Sequence, residues 1–303
     1  MYFSGFADEA SKDFDKQIKA TKELGWENIE SRAIGSGTLS TLSDLEFENV
    51  SEQMEKSGVK INCYGSSIAN WGKDPRNDKD YTSSLKELND VIPRMKKLEI
   101  PMLRGMSFAV VKDSDPDSPE IRKAVFSKVK KLVSICEDSG ILYLHENCMN
   151  YGGMSSDHTL RLIEKVNSPN FKLVFDTGNP LMTYDRRGDK PYKKQNAFEF
   201  YNQVKEFIHY VHIKDGIYLQ ENDRIFPDTK WTFPGEGEGF VEDIAADLIN
   251  SGYDGGFSME PHMKLVFHED SIKDTEELSY QNYIEYGRKF MKMVEEIQTG
   301  REK

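Results

Sequence analysis

A chain of 303 residues with 37% hydrophobic content can bury one large α/β core or two ordinary ones. A formal net charge of −12, with 30% of residues charged, disfavours a nucleic-acid or anionic-membrane surface and suits small neutral or cation-assisted ligands. No basic segment followed by an apolar stretch opens the chain, nowhere do about 18 apolar residues run together, and Cys63, Cys136 and Cys148 lack CxxC spacing; the expectation is a soluble, cytoplasmic protein with reduced, buried thiols.

Taken in chain order, the elements repeat one unit. A first strand is expected near Tyr2 to Phe6, and Phe14, Ile18 and Leu24 then mark the apolar face of a helix that stops before Gly25. KELGWENIES and EKSGVKINCYG lead into strands at Asn28 to Ser31 and Val59 to Tyr64, and a fourth strand follows at Met102 to Gly105. The next helix sets Val125, Val129, Leu132, Val133 and Cys136 on one face with lysines opposite. EDSGILYLHEN then gives a strand at Ile141 to Glu146. Further strands are expected at Lys172 to Asp176, at Tyr210 to Lys214 and, after INSGYDG, at Gly256 to Glu260. At each quoted junction a Gly follows the helix, where its left-handed conformation ends it.

These strands are short and apolar on both faces, as a parallel sheet covered by helices requires. Eight of them alternating with helices point to a (β/α)8 TIM barrel, with a doubly wound open sheet as the rival. No GxGxxG follows the first strand, and chemically capable residues stand at the C-terminal ends of many strands, where barrels keep their sites; both favour the barrel. No Pro/Ser/Gly-rich linker interrupts the chain, so one domain over residues 1–303 is expected. Its longest candidate loop, 216–239, is expected to lie over the active face.

The string LYLHENCMN (142–150) drives an apolar strand into a core and ends it on a carboxylate, a costly burial without a partner or a function. The last four strands supply the partners. ILYLHE, KLVFD, YVHIKD and GFSMEPH each deliver one donor at the tip: Glu146, Asp176, His212 and Glu260. In a closed barrel these tips converge, and three carboxylates in one small cavity need a strong counter-charge. A divalent cation fits. Three carboxylates and one imidazole suit a hard or borderline metal, Mn2+ first, with Mg2+, Co2+ or Zn2+ as alternatives.

Over nearly its whole length the chain resembles the sugar phosphate isomerase/epimerase superfamily, the xylose isomerase-like TIM barrels that include ketose 3-epimerases and apurinic endonucleases. The matching pieces are GFADE, GWENIE, HEN at 145–147, FDTGN at 175–179, HIKD at 212–215, FPGEGEG at 233–239 and YDGGFSMEPH, with the Glu, Asp, His, Glu order as the specific part. The resemblance implies that Glu146 and Glu260 are the acid/base pair as well as metal ligands. They would move a proton next to a carbonyl through an enediolate, with the metal as Lewis acid and no organic cofactor.

The departures narrow the reading. Asn179 stands where the epimerases and endonucleases place a histidine, and Tyr218 where the ketose epimerases carry an arginine. Ser66 or Ser67 and Ser107 replace the further histidines of the endonuclease zinc cluster. With the acidic composition, DNA repair is disfavoured. His145 before the metal glutamate resembles the branch acting on 3-oxo-glycosides, including C-glycoside deglycosidases, where such a histidine is implicated as the base for β-elimination; strand alternation, by contrast, would turn it outward.

Lys214 and His262 have the parity to face the mouth and contact substrate; the alternative for Lys214 is a buried ion pair. Arg104 ends the fourth strand near a substrate oxygen or Glu146, Asn179 joins the substrate-binding set, and Trp71 and Phe108 are candidates to stack on a sugar ring. The function expected first is a metal-dependent isomerase or epimerase of a sugar or sugar derivative. A lyase or hydratase of 3-oxo-glycosides with His145 as base comes second, and a non-catalytic sugar-binding barrel third. The expected ligand is a small sugar, with neither nucleic acid nor membrane as partner. The Tyr-rich segment SYQNYIEYGRKFMKMV leaves room for a homo-oligomer or a small partner subunit.

Overall fold

Six of the described helices begin where a side chain takes over backbone N–H groups that the first turn leaves free. Asp13 does so for α1 (Phe14–Glu23), accepting from Asp15 N and Lys16 N, and Ser43 and Glu46 form a reciprocal capping box at α2 (Asp44–Ser57). Asn77 caps α3 (Asp78–Lys97), and Ser118 followed by Pro119 opens α4 (Pro119–Asp138). Ser155 and Asn196 cap α5 (Ser156–Val166) and α6 (Ala197–Val204); α7 (Val241–Asn250) and α8 (Thr275–Thr299) follow. Gly58 and Gly140 take φ of 75° and 73°, the left-handed turn expected after α2 and α4.

The computed structural model describes residues 1–220, 228–263 and 275–300. Its principal sheet has eight strands: β1 (Tyr2–Gly5), β2 (Asn28–Ser31), β3 (Lys60–Gly65), β4 (Met102–Gly105), β5 (Leu142–Glu146), β6 (Phe171–Asp176), β7 (Ile208–Ile213) and β8 (Gly256–Met259). All neighbours pair in parallel, in the order β1-β8-β7-β6-β5-β4-β3-β2, and a parallel bridge from Phe6 to Glu30 closes β1 onto β2. An α-helix follows each strand, which makes the structure a (β/α)8 barrel.

The alternation along each strand divides the apolar side chains. Leu103, Tyr143, Phe175, Val211 and Phe257 face outward into the large shell shared with helix residues such as Leu132 and Leu162. Cys63, Met102, Leu144, Val174 and Tyr210 make a separate small cluster within the ring of strands. Below the mouth the interior is also polar: Ser4 Oγ donates to Asn62 Oδ1 (2.8 Å), and Asn62 Nδ2 to the Tyr210 hydroxyl (2.9 Å).

One expectation is corrected here. Much of 216–239, read as a loop from its Gly, Asp and Pro content, forms an antiparallel hairpin of Asp215–Gln220 with Asp228–Thr232, and its residues 221–227 lie outside the described residues. Among the described residues no helix is long and apolar enough to cross a membrane.

Candidate metal centre

Strand parity carries the site. On β5, Leu144 and Glu146 point inward while Tyr143 and His145 point to the helices, and the same parity on β6, β7 and at the end of β8 turns Asp176, His212 and Glu260 to one point. One donor atom from each of Glu146, Asp176, His212 and Glu260 lies within 4.8 Å of the other three, and all four residues are buried. His212 Nδ1 is 3.7 Å from a Glu146 oxygen, 3.8 Å from Asp176 Oδ2 and 3.5 Å from Glu260 Oε2.

The remaining atoms of these side chains are already engaged. Asp176 Oδ1 accepts from Gly178 N (2.8 Å) and Asn179 N (2.7 Å), Glu260 Oε1 from Arg32 Nη1 (3.1 Å), Glu146 Oε1 from Asn179 Nδ2 (2.9 Å), and His212 Nε2 lies 3.0 Å from Glu30 Oε2. Of the other atoms, Asp176 Oδ2 and Glu260 Oε2 face the Lys214 ammonium at 2.8 and 2.9 Å, Glu146 Oε2 faces Arg104 Nε at 3.3 Å, and His212 Nδ1 has no hydrogen-bond partner among the described residues. Three carboxylates and one imidazole whose donor atoms lie this close together match the coordination habits of a divalent cation. The residues fit such a metal.

Electrostatics agree. Burial, reinforced by Glu260 and Glu146, pushes the Asp176 carboxyl up to about 7 in spite of Lys214 beside it. Burial acts the same way on Glu146, but there the Arg104 guanidinium and His212 win and hold it at about 2. Glu30 outweighs burial at His212 and raises its imidazole. Burial is likewise outweighed at Glu260, which Lys214, His262 and His212 hold well below the usual carboxylate range, so of the three carboxylates Asp176 is the one the protein's own cations leave short of positive charge.

The expected contact residues surround this point. Lys214 is a buried ion pair, its Nζ 2.8 Å from Asp176 Oδ2, 2.9 Å from Glu260 Oε2 and donating to Asn179 Oδ1 (3.1 Å). Arg104 Nε lies 3.3 Å from Glu146 Oε2 while Nη1 donates to Ser66 O. A cavity of about 350 Å³ opens above the tetrad, and Arg104, Glu146, Asn179, Lys214, Glu260 and His262 all line it. Trp71 stands on its wall with 52% of its surface exposed.

Two expectations are corrected by position. His145 does not turn into the mouth: it is fully buried, with Nε2 2.9 Å from Ser107 Oγ and its ring 5.9 Å from that of Phe171, and burial lowers its pKa to about 4. The strand ladder continues through Glu146, so parity holds to the last residue of β5 and keeps His145 on the helix side. Phe108, a stacking candidate, is fully buried in the outer shell.

Several contributors carried no assigned role in the sequence. Glu30 holds His212 and also accepts from Ser258 Oγ (2.7 Å). Arg32 spans Asp8, Glu9 and Glu260 at 3.0, 3.1 and 3.1 Å. Glu9 accepts from His262 at both the backbone N (2.7 Å) and ring Nδ1 (2.8 Å). Asn147 accepts from Asp176 N (2.7 Å) and donates to Asp176 O (2.9 Å), tying the tips of β5 and β6 as a strand backbone would. Asp215 explains the pairing of HIKD with FPGEGEG: its carboxylate accepts from Gly216, Gly235, Gly237 and Gly239 N at 2.8–3.0 Å. A Cβ at Gly237 would run into that carboxylate and the Gly216 backbone.

Residues 18–286 match the family model described as xylose isomerase-like TIM barrel. No protein among those with curated functions matches the sequence. Among solved structures, a D-tagatose 3-epimerase-like protein is similar at 17% identity and TM-score 0.72, covering 99% of each chain. A xylose isomerase-like TIM barrel protein from Mycobacterium smegmatis in complex with magnesium is similar at 16% identity and TM-score 0.64, over 93% of this chain and 89% of that one. A probable 3-DHS dehydratase from Bacillus anthracis is similar at 14% identity and TM-score 0.68, over 96% and 99%. At these identities the likeness is one of fold.

Proposed function

The chain belongs to the xylose isomerase-like TIM barrel family, and from that premise we propose that it is a divalent-metal-dependent isomerase or epimerase of a small sugar or sugar derivative. The observation that carries the proposal is the convergence of four buried donors, from Glu146, Asp176, His212 and Glu260, within 4.8 Å of one another beneath one cavity. These four residues would hold the metal, with Mn2+ the first candidate. When bound, the metal supplies Lewis-acid polarisation of a carbonyl and adjacent hydroxyl, which acidifies the neighbouring C–H.

The chain's own groups do the rest. One of Glu146 and Glu260 takes the proton from the carbon next to the carbonyl, leaving an enediolate, and the other returns a proton from the opposite face. Asn179 and Arg32 each fix one oxygen of Glu146 and Glu260 respectively, while Arg104 and Lys214 face the other. Arg104, Asn179, Lys214, His262 and Trp71 orient the substrate from the cavity wall. Elimination from a 3-oxo-glycoside with His145 as base is disfavoured, because that ring is packed against Ser107 and Phe171.

The test is solvent deuterium incorporation at the carbon next to the carbonyl across a ketose panel, followed by NMR. Exchange should require added Mn2+, and Glu146→Gln and Glu260→Gln should each abolish it while leaving the circular dichroism unchanged. Exchange that survives chelation and dialysis overturns the reading.

A further inference from the structure

Lys214 meets the tetrad at a particular pair of atoms. Of the two oxygens on Asp176, Oδ1 is taken by the Gly178 and Asn179 N–H groups; of those on Glu260, Oε1 is taken by Arg32. The ammonium of Lys214 stands at 2.8 and 2.9 Å from the other two, Asp176 Oδ2 and Glu260 Oε2. The same ammonium donates a hydrogen bond to Asn179 Oδ1 at 3.1 Å. It stands as the counter-charge of both carboxylate oxygens.

The lysine is also held there by more than charge. Its stem lies flat on Gly178, where a Cβ would come within 2.6 Å of Cγ and 2.9 Å of Cβ and Cδ, and its ammonium is 5.5 Å from the centre of the Trp231 ring. A divalent cation bound by Asp176 and Glu260 would sit about 2.1 Å from those same oxygens. Two positive groups cannot both neutralise that oxygen pair without strong repulsion at such separations.

We propose that Lys214 is an internal competitor for the metal site: its ammonium holds the two carboxylate oxygens that a divalent cation needs, and metal enters by displacing it. Resting on the metal reading above, the inference makes Lys214 the residue that sets how tightly the ion is held. In the metal-stripped protein the same ammonium keeps three buried carboxylates compatible with the folded barrel.

The test is calorimetric titration of chelator-stripped protein with Mn2+, together with thermal melts of the metal-free and Mn2+-saturated forms. Lys214→Met should bind Mn2+ at least about tenfold more tightly than wild type, the change that about 1.4 kcal/mol of relieved repulsion gives. Its metal-free form should melt lower, and the two proteins should converge on saturation. Lys214→Arg, which keeps the charge, should not tighten binding. Gly178→Ala, which pushes the stem away and leaves the lysine in the chain, should tighten it and provides the answer if Lys214→Met folds only with metal present. Equal or weaker Mn2+ binding by Lys214→Met overturns the inference while leaving the metal centre standing. Absence of Mn2+ binding in wild type and all three substituted proteins overturns the metal centre itself, and this inference with it.

Discussion

Glu30 and His212, 182 residues apart in the chain, meet at 3.0 Å through Glu30 Oε2 and His212 Nε2, and this contact decides that Nδ1 is the nitrogen turned to the other three ligands. A carboxylate behind a ligating imidazole fixes the tautomer and raises the basicity of the free nitrogen. Glu30→Gln should therefore weaken Mn2+ binding roughly tenfold with little change in the fold, measured by calorimetric titration. Unchanged affinity would mean that the contact serves the barrel and not the metal.

Because the four donors converge only in the folded barrel, an ion bound there should stabilise the whole protein. At a free Mn2+ concentration one hundred times the dissociation constant, mass action gives about 2.7 kcal/mol. Thermal melts should shift upward with Mn2+ and return on adding chelator; replacing Asp176 by Ala should remove the shift.

His262 is gripped twice by Glu9 and has its backbone in the left-handed region, at φ 50°. A non-glycine residue keeps that conformation when its surroundings hold it there. Glu9→Gln should loosen the imidazole on the cavity wall. The expected kinetic signature is a KM for the ketose raised several-fold with kcat changed less; a selective loss of kcat would instead place Glu9 in the proton-transfer machinery.

His158 gives a pH test remote from the tetrad. Burial, winning over the nearby Asp117, lowers its pKa from 6.5 to about 4. Above pH 6.5 the imidazole is neutral in both folded and unfolded chains. As pH falls from 6.5 towards 4 the unfolded chain takes up a proton that the folded one refuses, so stability declines, by roughly 3 kcal/mol at the lower end. Urea melts across this range should show the decline in wild type and a shallower one in His158→Gln. Parallel curves would refute the assignment.

The eight strands and the convergence of Glu146, Asp176, His212 and Glu260 were legible because both depend on local signals: Gly after a helix, a short apolar run, a donor at its end. Parity alone also foretold the outward side of His145, and the structure follows it against the family resemblance. Glu30, Arg32 and Glu9 were not legible in the same way. Glu30 reads as one more charged residue in WENIES, and only closure of the barrel, through the Phe6–Glu30 bridge, reveals that it is buried beneath His212. Arg32 and Glu9 acquire their roles from Glu260 and His262, which lie more than 200 residues downstream. The hairpin at 215–232 was missed because Gly, Asp and Lys suppress the strand signal while backbone pairing does not require an apolar face.

The division of apolar side chains into an outer shell and a small inner cluster has a consequence for how this molecule can change. The larger apolar cluster lies between strands and helices, whereas the tetrad and the residues lining the cavity stand at the strand tips and in the turns beyond them. A barrel of this kind can therefore take different side chains at the strand tips without rebuilding its scaffold. Inheritance of the architecture and inheritance of the ligand preference are, in this chain, separable traits.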